Sequence, residues 1–119
     1  MIAVLDGATL VATVLCILAN GFEVVAKMVR AQFMMRNAAE VGVAPRWIPY
    51  LAMLEGAGVL GLLLGLFGLR LIGLAAAVGL VVFFVGAVLA HVRARVFHNI
   101  AFPGTFLLLA VAATAHFAG

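Results

Sequence analysis

Four apolar runs, each long enough to cross a lipid bilayer, constrain what this chain can fold into. A transmembrane helix needs about 20 mostly apolar residues, and such runs cover approximately residues 4–29, 49–66, 71–90 and 99–117. Hydrophobic residues make up 68% of the chain and charged residues 9%, whereas soluble domains average about 45–50% and about 25%. A soluble protein of 119 residues cannot bury that excess. The sequence therefore predicts a single-domain, all-α membrane protein over residues 1–119, a bundle of four transmembrane helices with both termini on one side.

The basic residues are distributed unequally between the two predicted sides of the membrane. The two longer connections share one side with six of the seven basic residues, namely Lys27, Arg30, Arg36, Arg46, Arg93 and Arg95. Arg70 falls on the other side. Because cytoplasmic loops are enriched in Lys and Arg, we expect the longer loops in the cytoplasm of a prokaryotic cell, the protein in its plasma (inner) membrane, and both termini outside. This placement accounts for the net charge of +3, so we expect lipid rather than nucleic acid as the partner.

The chain offers no motif for a metal or for disulfide chemistry. Cys16 is the single cysteine, so it forms no intramolecular disulfide and no CxxC pair. Met28, Met34 and Met35 are interpreted as packing residues, because no second group of soft ligands accompanies them. The residues alone therefore predict no metal site and leave any other cofactor unknown.

Small residues line the second and third apolar runs. The second carries Gly58, Gly61, Gly65 and Gly68, and the third carries Gly73, Ala76, Ala77, Gly79, Gly86 and Ala87. Small residues allow helix backbones to approach closely in lipid, where the hydrophobic effect does not drive association. The pattern predicts a tight hairpin around a turn at residues 67–70. The alternative is the general enrichment of glycine in membrane helices. The glycine faces also offer a contact through which a homo-oligomer could form.

Polar residues follow one face of the first run. They recur at intervals of three or four and comprise Asp6, Thr9, Thr13, Cys16, Asn20, Glu23, Lys27 and Arg30. That spacing places them on one side of a helix, which in a membrane should face protein. Glu23 and Lys27 are also four residues apart in the order that favours an ion pair.

Ionisable residues of several helices are expected at similar depth near the cytoplasmic side. A rise of about 1.5 Å per residue places Glu55 about 9 Å and Glu23 about 12 Å into the bilayer. Intramembrane ionisable residues are costly and typically functional. The predicted site comprises Glu55, Glu23 and His91 as candidate catalytic residues, with Asn20, Lys27 and His98 as candidate ligand-binding residues. The alternative is a structural clamp, in which Glu55 or Glu23 bonds Lys27, His91 or Asn20 and fixes the helix register.

The middle of the chain resembles a known family. The segment Leu54-Glu55-Gly-Ala-Gly-x-x-Gly61-Leu62 and the ending Ala87-x-x-x-His91-x-Arg93 are similar to those of the DoxX-like family of small four-helix membrane proteins. The resemblance covers about residues 43–95. The family takes its name from a subunit of an archaeal quinone-linked thiosulfate oxidoreductase, so the resemblance implies a four-span bundle, quinone as a cofactor and a redox partner protein. It also singles out Glu55 and His91.

Three functions follow as hypotheses. The first is an accessory protein or subunit of a membrane redox system that binds a lipophilic molecule such as a quinone. The second is a stand-alone membrane enzyme, an isomerase, cyclase or epoxide-opening enzyme, in which Glu55 or Glu23 acts with His91 in acid–base chemistry on an apolar substrate. The third is a structural protein whose polar groups only set helix packing.

Overall fold

The computed structural model describes residues 2–119, and this range is helical with no β-strand. The elements are α1 (Ile2–Met28), α2 (Gln32–Glu40), a 3-10 turn (Pro45–Trp47), α3 (Ile48–Leu66), α4 (Arg70–Ala94) and α5 (Ala101–Ala118). Helices α1, α3, α4 and α5 are long and apolar enough to cross a membrane. The predicted all-α membrane protein with four spans is therefore confirmed, and α2 is an additional short helix.

The structure adds two features to the helices predicted from the sequence. The third span was expected to end near Ala90, with His91 in the following loop, but α4 continues to Ala94. It ends where Arg95 adopts a left-handed conformation (φ 58°) and its N–H bonds the Val92 carbonyl, a helix ending for which glycine is the usual signal. The polar connection after α1, for which no helix was predicted, contains the nine residues of α2.

The four long helices form a closed ring, with α1 beside α3, α3 beside α4, α4 beside α5, and α5 beside α1. Each helix therefore buries a stripe against two neighbours. The core of this ring includes the fully buried side chains of Cys16, Leu62, Ala77, Ala110 and Ala113. Large apolar side chains are exposed along the outside of all four helices, as expected where lipid is the solvent.

Three glycines and one alanine form a close seam between α3 and α4, which confirms the predicted hairpin. A Cβ on Gly61 would lie 2.5 Å from the Ala76 Cβ, and one on Gly65 would lie 2.5 Å from the Gly73 Cα. We refer to Gly61, Gly65, Gly73 and Ala76 as the glycine seam. The ring of Phe117 covers it, 2.8 Å from where a Gly65 Cβ would be.

Two other glycines of the predicted stripe do not take part in this packing. A Cβ on Gly79 or on Gly86 would meet nothing within 4 Å, and both residues are exposed on α4. The small residues of α4 therefore lie on more than one face of the helix. A count of small residues could not separate the face that packs from the face that does not.

Polar contacts join the end of α5 to the α3–α4 turn and to α1. The Arg70 guanidinium donates through Nε to the Phe117 carbonyl at 2.6 Å, and through Nη2 to the Gly119 carbonyl. Near the other terminus, Thr9 Oγ1 lies 2.9 Å from His116 Nδ1. This end of the bundle is thereby closed by side chains, while α2 lies at the opposite end.

Candidate functional site

The polar face of α1 points into the bundle over the middle of the helix. Thr13, Cys16, Asn20 and Lys27 are buried, whereas Asp6 near the start is exposed. Within α1, the Asn20 amide donates to the Cys16 carbonyl at 2.8 Å, and the Thr13 hydroxyl donates to the carbonyl of Thr9 at 2.7 Å. The local helix therefore satisfies much of its own polarity.

Lys27 joins two carboxylates at the α1–α3 interface. Its Nζ lies 2.7 Å from Glu55 Oε1 and 3.1 Å from Glu23 Oε2. Glu55 is fully buried, whereas the Glu23 side chain is 20% exposed. Two carboxylates share one ammonium, so the formal charge of this cluster is −1. The sequence predicted the Glu23–Lys27 pair from spacing, and it offered the contact from Lys27 to Glu55 as one alternative.

A cavity of about 560 Å³ opens beside this cluster. It lies between α1, α4 and α5, with α2 and the first turn of α3 completing its lining. Binding sites for small molecules commonly enclose about 300–1,000 Å³ and combine an apolar lining with a few polar groups. Six of the nine phenylalanines in the chain line it: Phe22, Phe33, Phe83, Phe84, Phe102 and Phe106. The polar residues of the lining, called the polar wall below, are Glu23, Lys27, Asn37, His91 and Asn99.

His91 belongs to the polar wall because α4 extends past its predicted end. The side chain is buried, and Nδ1 lies 2.8 Å from the Ala87 carbonyl. A carbonyl oxygen only accepts hydrogen bonds, so Nδ1 carries the hydrogen in this contact. Nε2 of the neutral ring is then an acceptor.

Helix α2 is tied to the α4–α5 connection by two polar contacts. The Asn99 amide donates to Asn37 Oδ1 at 3.5 Å, and His98 Nε2 lies 3.3 Å from Glu40 Oε2. His98 is 66% exposed and does not line the cavity. The sequence predicted a ligand-binding role for His98, but this residue lies at the rim of the cavity and not in its lining.

Three buried polar atoms of the described residues have no hydrogen-bond partner. They are Asn20 Oδ1, Glu55 Oε2 and Asn99 Oδ1. All three are acceptors, and a buried acceptor without a partner costs free energy. Asn99 belongs to the polar wall, whereas Glu55 lies behind Lys27 and Asn20 lies in the bundle interior.

The structure thus brings together part of the predicted site. Glu23, Lys27 and His91 share the cavity lining, and Glu55 reaches it through Lys27. The residues that sequence reasoning missed are those of α2 and the six phenylalanines. The signal for α2 was available in the spacing of Phe33, Met34, Asn37 and Ala38, because residues three and four apart share one helix face.

Comparison with protein families gives one match. The sequence model of the DoxX-like family matches residues 11–113, a range that includes parts of all four long helices. No curated protein and no solved structure matches the chain. The resemblance read from the middle of the sequence therefore extends into α1 and α5.

Proposed function

We propose that this chain, which belongs to the DoxX-like family, binds a lipophilic molecule in the cavity beside α2. We further propose that it acts as an accessory protein or subunit of a membrane redox system. The cavity is the observation that carries the proposal. It combines an apolar, phenylalanine-rich lining with the polar residues of α1, α2, α4 and the α4–α5 connection. Such a lining receives the apolar body of a ligand, and such polar residues orient its head group.

A quinone is the ligand that the family resemblance implies. Its flat ring could stack on the phenylalanine rings, where offset or edge contacts are favourable. The proposed site residues are Glu23, Lys27 and His91, which line the cavity. Glu55 and Asn20 are proposed to hold Lys27 and the α1 face in place, and His98 is proposed to tie α2 to the α4–α5 connection through Glu40.

The cellular setting is also a proposal. We infer a prokaryotic plasma membrane with the α2 end of the bundle in the cytoplasm, because six of the seven basic residues fall at that end. A redox partner protein would then approach from the cytoplasmic side or from within the membrane. A homo-oligomer would use the outer face of α4 at Gly79, because the glycine seam is already filled within one chain.

Native mass spectrometry of the protein in mild detergent, combined with organic extraction, tests this function. We expect one lipophilic molecule per chain, and a redox partner that copurifies when the complex is isolated gently. A chain that retains no lipophilic molecule, and that binds none on addition, contradicts the proposal.

The second candidate is a stand-alone enzyme with acid–base chemistry on an apolar substrate. Its support is that Glu23, Lys27 and His91 reach the cavity while Glu55 is within hydrogen-bond distance of Lys27. Proton transfer requires such groups within about 3 Å of one another or of the substrate. Isomerisation, cyclisation or epoxide opening would need no further cofactor.

The two candidates differ in what happens to the bound molecule. If the protein is an enzyme, the molecule extracted after incubation should differ from the one supplied, and Glu55→Gln should abolish that change while the fold persists. Recovery of an unchanged molecule from the wild-type protein would favour the binding function. The purely structural role predicts neither binding nor turnover, and a cavity of this size argues against it.

A further inference from the structure

We propose that the molecule bound in the cavity carries a positively charged head group that donates hydrogen bonds, as a lipophilic primary amine does. This inference rests on the proposed function, since it assigns a chemical class to the ligand of the same site. Three properties of the cavity lead to it: the charge of the polar wall, the hydrogen-bonding atoms that the wall leaves free, and the aromatic rings around it.

The charge of the polar wall favours a cation. The Lys27 Nζ forms an ion pair with Glu55 Oε1 at 2.7 Å and a second one with Glu23 Oε2 at 3.1 Å. With both carboxylates ionised, the cluster of Glu23, Lys27 and Glu55 has a formal charge of −1. The arginines at this end of the bundle are exposed and outside the cavity lining. An uncompensated charge in an apolar site is costly, and a cationic head group beside Glu23 removes that cost.

The wall keeps acceptors free at Glu23 and at His91. The His91 Nδ1–H is used by the Ala87 carbonyl, which leaves Nε2 of the neutral ring to accept. Asn99 Oδ1 is buried without a partner. Asn37 contributes an amide N–H₂, and one N–H of the Lys27 ammonium is left over after its two carboxylate contacts, so the wall also offers donors. An ammonium supplies donors to the Glu23 carboxylate and to His91 Nε2, whereas the carbonyl oxygens of a quinone are acceptors and would leave both unpaired.

The phenylalanines suit the same ligand. Six rings line the cavity, and the rings of Phe83 and Phe106 approach Phe84 with centroids 5.0 and 5.3 Å apart. The face of an aromatic ring attracts a cation, while its apolar surface accommodates an alkyl or aryl chain. Charge, donor requirement and lining thus agree on a lipophilic ammonium and disfavour a carboxylate.

The test uses three phenylalkyl compounds that differ only in the head group: a primary ammonium, a hydroxyl and a carboxylate. Each is titrated calorimetrically into the full chain in phosphatidylcholine nanodiscs, with binding to empty nanodiscs subtracted. We expect the ammonium to bind about tenfold or more tightly than the alcohol, and the carboxylate to bind most weakly. Glu23→Gln should reduce the affinity for the ammonium to that for the alcohol. Glu40→Gln, a carboxylate outside the cavity, should leave the ranking unchanged.

The outcomes separate this inference from the function on which it rests. If the alcohol binds as tightly as the ammonium, or the carboxylate binds most tightly, the cationic head group is wrong and the binding function stands. If none of the three compounds binds, both the head group and the proposed function are wrong. Should Glu23→Gln fail to fold, the ranking measured on the wild-type chain still decides.

Discussion

The two ends of the bundle differ in how closely their helices pack. At the end with the α3–α4 turn, the glycine seam brings two backbones into contact and Phe117 covers them, while Arg70 binds the end of α5. At the end with α2, helices α1, α4 and α5 surround a cavity of about 560 Å³ that ionisable side chains help to line. We call these the closed end and the open end.

This difference in packing separates the end that stabilises the bundle from the end that we propose binds the ligand. Close backbone contact gives packing in lipid without a hydrophobic driving force, so the closed end holds the ring together. The open end keeps a buried ion pair and unpartnered acceptors, which are costs that a purely structural bundle has no reason to retain. The variants below test whether the two ends are as separate as this account requires.

The largest effect on the free energy of unfolding is expected from Lys27→Met at the open end. Removing the ammonium leaves the fully buried Glu55 carboxylate without its partner, and breaking a buried pair in this way costs about 3–5 kcal/mol. The double variant Lys27→Met with Glu55→Gln removes both charges and should recover most of the loss. Unfolding in mixed micelles with increasing denaturing detergent measures both. A single variant as stable as the double would mean that the pair does not couple α1 to α3.

A smaller loss is expected from Gly65→Ala at the closed end. The added methyl group would lie 2.5 Å from the Gly73 Cα and 2.8 Å from the Phe117 ring, and overpacking of this kind costs about 1–3 kcal/mol. Gly79→Ala is the matched control, since its new methyl group meets nothing within 4 Å. Equal unfolding free energies for the two variants would contradict the seam. Ligand affinity should be unchanged in both, because neither residue lines the cavity.

The smallest effect is expected from His98→Ala at the rim of the open end. Its contact with Glu40 is exposed, and exposed pairs contribute about 0–1 kcal/mol. Ligand affinity should also stay within about twofold of wild type, since His98 does not line the cavity. A loss of binding on this substitution would restore the ligand-binding role that the sequence predicted for His98, and would show that the rim contributes to the site.

The closed end was largely predictable from the sequence, and the open end only in part. Glycines spaced three and four apart identify a packing face from local periodicity, and the turn at residues 67–70 is marked by Gly68 with its positive φ of 114°. The contact between Lys27 and Glu55 joins residues 28 positions apart, and spacing along one helix fixes neither the rotation nor the stagger of the other. The position of His91 depended on where α4 ends. That end could not be predicted, because Arg95 and not a glycine adopts the left-handed conformation there.

The measurement that tests the central claim most directly is ligand binding to a chain whose cavity has been filled. Ala87 lines the cavity on α4, whereas Ala75 is exposed on the same helix, so Ala87→Phe and Ala75→Phe place the same group inside and outside the site. We predict that Ala87→Phe lowers the affinity for the phenylalkyl ammonium by about tenfold or more, while Ala75→Phe retains wild-type affinity and both variants fold. Equal affinity in the two variants would contradict the claim that the cavity at the open end is the functional site of this protein.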